Sequence, residues 1–72
     1  MNFSGVARYR GQRPDIEEMA RARDSARRAA FARLRDFETL AGASCVPRSA
    51  SDYIIHGPSG TIHVYRITAE LA

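Results

Sequence analysis

The stretch from Asp15 to Ala41 constrains the fold of this chain more than any other feature, because it reads as one uninterrupted helix. Asp15 can accept a hydrogen bond from the backbone N–H of Glu18, and Glu18 can reach back to Asp15, as in a capping box. No glycine or proline interrupts the stretch before Gly42, which suits the left-handed conformation that ends many helices. We predict about seven turns. In a chain of 72 residues, such a helix leaves no room for a second domain.

The apolar residues of the predicted helix define a core face. At about 100° per residue, one side collects Ile16, Met19, Ala26, Ala30, Leu34, Phe37 and Ala41. Arg23 and Arg27 fall at the edge of this side, and Phe31 lies one turn beyond Arg27. Their aliphatic stems can lie along apolar surface while the charged groups stay in water. The alternative is that this margin of the helix is where a partner docks.

The second half of the chain predicts a β-hairpin over residues 51–68. DYIIH and TIHVYRIT are rich in β-branched and aromatic residues, and GPSG between them supplies a turn. The expected pairs are His56 with Thr61, Ile55 with Ile62, Ile54 with His63, and Tyr53 with Val64. Because opposed residues share a face of the sheet, Tyr53, Ile55, Ile62 and Val64 form one apolar face. We expect this face to cover the helix.

These elements predict an α+β fold in which one long α-helix packs on a small antiparallel sheet. Residues 1–14 are expected to form a flexible basic arm, and residues 15–72 a single small domain. A third short strand can come from 44–47, where Pro47 restricts it to a sheet edge, or from 3–9. An isolated hairpin is marginally stable in water, so its packing on the helix is required in either case.

The positive charge of the chain is confined to its first residues. Arg8, Arg10 and Arg13 meet no acid before Asp15, whereas arginines and acids balance in the rest of the chain, so the formal net charge of +3 sits in the arm. Such an arm can grip phosphates and stack on bases, enter an acidic groove of a protein, or remain a disordered terminus. The candidate partner contacts are Phe3, Val6, Arg8, Tyr9, Arg10, Arg13, Arg23 and Arg27.

The sequence predicts no catalytic residue, no metal ligand and no cofactor. Cys45, His56 and His63 match no tight chelating spacing, and a nucleophilic Cys45 would need a pocket and an oxyanion site that short chains rarely build. A thiol or metal activity at these residues stays as an alternative. The single cysteine excludes an internal disulfide and fits a reducing compartment. With no long apolar run or secretion signal, we expect a cytoplasmic protein that contacts no membrane, and we expect it to be a monomer.

The chain as a whole resembles a group of small bacteriophage proteins that bind the host RNA polymerase. The features that carry the resemblance are its short length, its single cysteine, RYRGQRPDIEE, LRDFETLAG and YIIHGPSGTIHVYRI. The resemblance implies a non-enzymatic regulator that docks on a polymerase subunit and inhibits initiation by displacing or blocking the initiation factor. It implies no role for any individual residue. The alternative function is a small nucleic-acid-binding module that uses the arginines and tyrosine of the arm.

Overall fold

The computed structural model of the chain describes residues 1–11 and 13–72. Its elements are β1 (Asn2–Arg8), α1 (Ile16–Ala41), β2 (Cys45–Gly57) and β3 (Gly60–Leu71). The strands form one antiparallel sheet in the order β1-β3-β2, and α1 lies across one face, mainly over β1 and β3. The predicted α+β class, one long helix on a small antiparallel sheet, is confirmed. No helical stretch in the described residues is long and apolar enough to cross a membrane.

The ends of α1 follow the predicted capping signals, with one difference. The Asp15 side chain accepts a hydrogen bond from the Glu18 backbone N–H at 2.7 Å, and Gly42 ends the helix with φ 63°. Glu18 does not complete the capping box, because its Oε1 accepts instead from the backbone N–H of Arg10 at 2.7 Å. The side chain of Glu18 thereby ties the segment after β1 to the first turn of the helix.

The predicted flexible arm over residues 1–14 differs from the structure, because Asn2–Arg8 form an edge strand. β1 pairs with β3 from Asn2 opposite Thr68 to Arg8 opposite Ile62. The pairing continues past the strand, where the Tyr9 backbone N–H donates to the Thr61 carbonyl at 3.0 Å. The second proposed source of a third strand is therefore the one used. Within the expected arm, Gln12 lies outside the described residues.

The hairpin has the predicted register and is longer than predicted. All four expected pairs, from Tyr53 with Val64 to His56 with Thr61, are present. The strands extend well beyond residues 51–68, and a register shift between Pro47 and Ser49 leaves Arg48 unpaired in the ladder. A bulge of this kind keeps Pro47 compatible with an edge strand.

The helix covers the opposite face of the sheet from the one we predicted. Gly5 and Tyr65 face α1, and so do Ile67 and Ala69 two and four residues further along β3. Tyr53, Ile55, Ile62 and Val64 therefore lie on the uncovered face. The reason is the alternation of side chains in residues 65–69. There Tyr65, Ile67 and Ala69 share the face that α1 covers, while Arg66 and Thr68 point the other way.

The core forms between the small residues of α1 and this face of β3. It consists of Ala26, Ala30, Leu34, Tyr65, Ile67 and Ala69. Phe3 packs against it from β1, with its ring 5.6 Å from the ring of Phe37. The predicted core face is wrong at both ends of the helix. Ile16 is 84% exposed and Met19 is exposed as well, because both point to the side where α1 leaves β2 largely uncovered, and Ala41 is exposed in the last turn.

Candidate functional site

A network of four polar side chains connects the helix, the sheet and the segment after β1. The Tyr9 hydroxyl lies 2.7 Å from His63 Nδ1, and His63 Nε2 lies 2.7 Å from Asp52 Oδ2. Arg23 Nε lies 3.3 Å from the same carboxylate oxygen, and its guanidinium sits 5.5 Å from the centre of the Tyr65 ring. A neutral imidazole with its proton on Nε2 donates to Asp52 and accepts from Tyr9, which satisfies both ring nitrogens.

The environment of this network fixes the charge states of Tyr9 and Asp52. The hydrogen bond from His63, and then the charge of Arg23, hold the pKa of Asp52 below its ordinary range. Burial raises the pKa of Tyr9, and the nearby charges of Asp52 and Glu18 raise it further. Tyr9 therefore stays a protonated donor and Asp52 a carboxylate. Because both nitrogens of the buried His63 are already bonded, the network is suited to a structural role in which it holds α1, the sheet and the segment after β1 together.

Asp52→Asn is expected to reduce the loss of stability in acid. The pKa of the Asp52 carboxyl is lower in the folded protein, so its contribution is full above the ordinary aspartate pKa of about 3.9 and disappears as pH falls through the lowered value. Urea unfolding between about pH 2 and pH 7 measures this contribution. Glu18, whose pKa the Arg21 hydrogen bond lowers to about 2, leaves some acid dependence in the variant. If the free energy of unfolding fell equally in acid in both proteins, the lowered pKa of Asp52 in the folded state would be wrong.

The uncovered side of the sheet, which we call the open face, carries an apolar patch in its middle. Its members are Val6, Tyr53, Ile55, Ile62 and Val64. Val6 is 57% exposed, Tyr53 48% and Ile55 45%. Val64 is buried although no element covers this face, because its register neighbours Val6 and Tyr53 flank it on both sides. Grouped apolar side chains of this kind mark interaction surfaces more often than isolated ones do.

Two arginines stand on the same face as this patch. Arg8 is the register partner of Ile62, and Arg66 stands between Ser4 and Ser51. Both side chains are exposed, and neither forms an ion pair with any of the residues that the structure describes. The open face thus combines an apolar centre with two cations, a composition suited to a partner surface that is apolar and locally acidic.

A second apolar surface lies beside the helix, where α1 leaves β2 largely uncovered. Ile16, Met19 and Arg23 of the helix face Ile54 across a groove of about 510 Å³. Arg27 continues this margin of the helix, with its guanidinium 5.1 Å from the centre of the Phe31 ring. Arg23 and Arg27 therefore occupy the margin where the sequence predicts them, with their charged groups exposed over aromatic rings.

The structure divides the remaining predicted contact residues between core and surface. Phe3 packs against the core and Tyr9 is only 8% exposed, so little of either side chain is left for a partner. Val6 and Arg8 lie on the open face. Arg10 and Arg13 are exposed at the end of the helix that carries Glu18. The predicted set therefore does not form one continuous surface.

Sequence reasoning missed the open face as a candidate site, and with it Arg66. The alternation in YRITA was the available signal, since it places Tyr65 and Ile67 on one face and Arg66 on the other. Cys45, partly buried, packs against the core. In residues 1–11 and 13–72, no three histidine, cysteine or acidic side chains come together as a metal site would require.

Comparison with known proteins gives no relative of this chain. No protein-family model matches it, and neither a curated protein nor a solved structure is significantly similar to it. Its function has to be inferred from the surfaces described above.

Proposed function

We propose that this protein is a non-enzymatic regulator that binds a protein partner through the open face. The observation that carries the proposal is the exposed patch around Val64, where apolar side chains of all three strands meet between Arg8 and Arg66. Tyrosine and arginine are the side chains that most often dominate protein interfaces. A monomer of this size gains nothing for its own fold by exposing Val6, Tyr53 and Ile55 together.

The proposed partner is a bacterial RNA polymerase, and the proposed effect is inhibition of initiation, in which the initiation factor is displaced or blocked. The resemblance of the whole chain to small phage regulators supports this target. The surface supports it as well, because a protein with two unpaired arginines beside an apolar patch needs only a local acidic region on a large partner. Binding would place the open face against a polymerase subunit and leave the outer side of α1 in solvent.

Nucleic-acid binding is the second candidate and has weaker support. Single-stranded nucleic acid is usually held by several stacked aromatic rings above a cationic groove. The open face has one exposed aromatic ring, Tyr53, and two cations, Arg8 and Arg66. If those two arginines held single-stranded phosphates, the logarithm of the binding constant would fall with the logarithm of salt with a slope of only about −1.4.

Val6→Glu is expected to weaken binding to purified bacterial RNA polymerase at least about tenfold, the equivalent of about 1.4 kcal/mol. The substitution places a charge within the apolar patch, on an exposed side chain beside Val64. Titration against core enzyme and holoenzyme measures the effect. Leu40→Glu is the matched control, because Leu40 is 89% exposed on α1 and lies outside the open face. Deleting residues 1–13 would be a poor substitute, since it removes β1.

Three results would count against this proposal. Absence of binding to either form of the polymerase would remove the target. Equal weakening by Leu40→Glu would remove the open face as the site. Tight, salt-dependent binding to a single-stranded oligonucleotide, lost on Val6→Glu, would favour the nucleic-acid alternative.

A further inference from the structure

The outer edge of β2 is free over most of its length. Among the described residues, β2 pairs only with β3, and α1 lies mainly over the other two strands. No residue of 49–57 takes part in the backbone hydrogen bonds that the described residues form outside the helix and the strand ladders. The other edge strand, β1, is shorter and packs closely under the helix. The two edges of the sheet are therefore not equivalent.

Natural edge strands usually carry features that prevent pairing with another chain, and this edge carries them only at its start. Pro47 and the register shift before Ser49 protect the first residues of β2. From Ser49 to Gly57 the strand has no proline and no further register shift, and its one charged residue is Asp52. The Asp52 carboxylate is turned toward the helix and bonded to His63 and Arg23, so it does not guard the edge.

The hydrogen-bond pattern of the sheet identifies the residues that point outward. In an antiparallel sheet, alternate residues of a central strand bond to its two neighbours. The Thr61 carbonyl accepts from the Tyr9 N–H, so the backbone groups of every second residue of β3, counted from Thr61, point toward β1. The backbone groups of the residues between them, such as Ile62 and Val64, point toward β2. The backbone groups of their register partners, Ile55 and Tyr53, therefore bond to β3. The N–H and C=O groups that point to the free edge belong to Ala50, Asp52, Ile54 and His56.

We propose that β2 pairs with β2 of a second copy of this chain, antiparallel and centred on Ile54. This register places the outward-pointing residues opposite one another, Ile54 opposite Ile54 and Asp52 opposite His56 of the second copy, and Tyr53 lies opposite Ile55 between them. Two of the contacts are complementary, that between two aliphatic side chains and that between an aromatic and a β-branched side chain. Centring the pairing on Tyr53 instead would place Asp52 opposite Ile54.

The resulting dimer has one six-stranded sheet with both helices on the same side. On the other side, contacts between Tyr53 and Ile55 join the two open faces into one apolar surface. Pairing of the edges satisfies the outward backbone groups of Asp52, Ile54 and His56 without changing the β2–β3 ladder. The inference concerns assembly and holds whether or not the polymerase is the partner.

Disulfide trapping tests the register in a Cys45→Ser background. Opposed residues that exchange hydrogen bonds have Cα atoms about 5.5 Å apart, which suits a disulfide. Ile54→Cys is therefore expected to give a covalent dimer on mild oxidation. Ser51→Cys is the matched control, because Ser51 is exposed on the same strand but would face Gly57 of the second copy. Two thiols at Ser51 would lie about 20 Å apart, and no covalent dimer is expected.

Sedimentation equilibrium of the unmodified protein completes the test. We expect a dimer that His56→Pro converts to monomers, because His56 is exposed and proline there removes an outward N–H opposite Asp52 of the second copy while sparing the backbone bonds to β3. Val6→Glu should remain dimeric, so loss of polymerase binding and loss of pairing can be told apart. A monomeric unmodified protein would overturn the inference, as would equal cross-linking at Ser51 and Ile54. Retention of the dimer in His56→Pro would show that another surface holds it.

Discussion

Replacing Gly5 with alanine is expected to remove a large part of the net stability of this protein. A Cβ at this position would overlap the carbonyl oxygen of Ala26 and the amide nitrogen of Ala30, and would lie 2.8 Å from the Cβ of Ala29. These atoms belong to the helix backbone or its shortest side chains, so none can rotate away. Overpacking costs about 1–3 kcal/mol and sometimes more, whereas a domain of this size has about 3–5 kcal/mol of net stability.

Urea unfolding followed by circular dichroism measures this effect. Gly11→Ala is the matched control, because a Cβ on Gly11 has no atom within 4 Å and the residue lies outside the sheet. We expect the control to unfold close to the unmodified protein. If Gly5→Ala did the same, the close approach of α1 to β1 would be wrong, and with it the placement of the helix over this side of the sheet.

Ile67→Ala is expected to lower the free energy of unfolding by about 2–5 kcal/mol, the usual range for removing a buried aliphatic side chain. Ile67 has no exposed surface and lies on β3 in the core, on the face that α1 covers. Ile16→Ala makes the same chemical change at a side chain that is 84% exposed, and we expect it to stay within about 0.5 kcal/mol of the unmodified protein. Equal losses from the two substitutions would contradict the assigned core.

The parts of this fold that could be predicted are those determined by neighbouring residues. Asp15 and Gly42 mark the ends of the helix because each acts on atoms within one turn. The register from Tyr53 to Val64 follows from a turn at Pro58 and Ser59, since a short connection leaves little freedom in how strands pair. Both features depend on short-range chemistry that is visible in the sequence.

The residues of β1 do not by themselves determine that it is a strand, because its stability comes from contacts far along the chain. Gly5 weakens the strand when residues 1–9 are considered alone, yet at this position it permits the close approach of Ala26 and Ala29. Phe3 and Tyr9 were consequently assigned to a partner, whereas Phe3 packs on Phe37 and Tyr9 bonds His63.

The choice of sheet face failed because it relied on the four apolar residues nearest the turn, Tyr53, Ile55, Ile62 and Val64. The opposite face carries Ile54, Tyr65 and Ile67 together with His63 and Asp52, and burial of either polar residue alone would be costly. Together they satisfy each other, with Tyr9 and Arg23 completing the set. The contacts with Tyr9 and Arg23 are not visible in the hairpin sequence, whereas the alternation of Tyr65, Arg66 and Ile67 did indicate which face is buried. The open face was missed as a candidate site because it was predicted to lie against the helix.

The position of β3 in the middle of the sheet determines when this protein can fold. It is the last of the three strands to be synthesised, and both of the others pair only with it. While a ribosome is still producing β3, the helix can form, but β1 and β2 have no strand to join. Folding of the sheet must therefore wait until translation has passed Leu71, and a ribosome-bound chain stalled before that point would expose every apolar residue of the core.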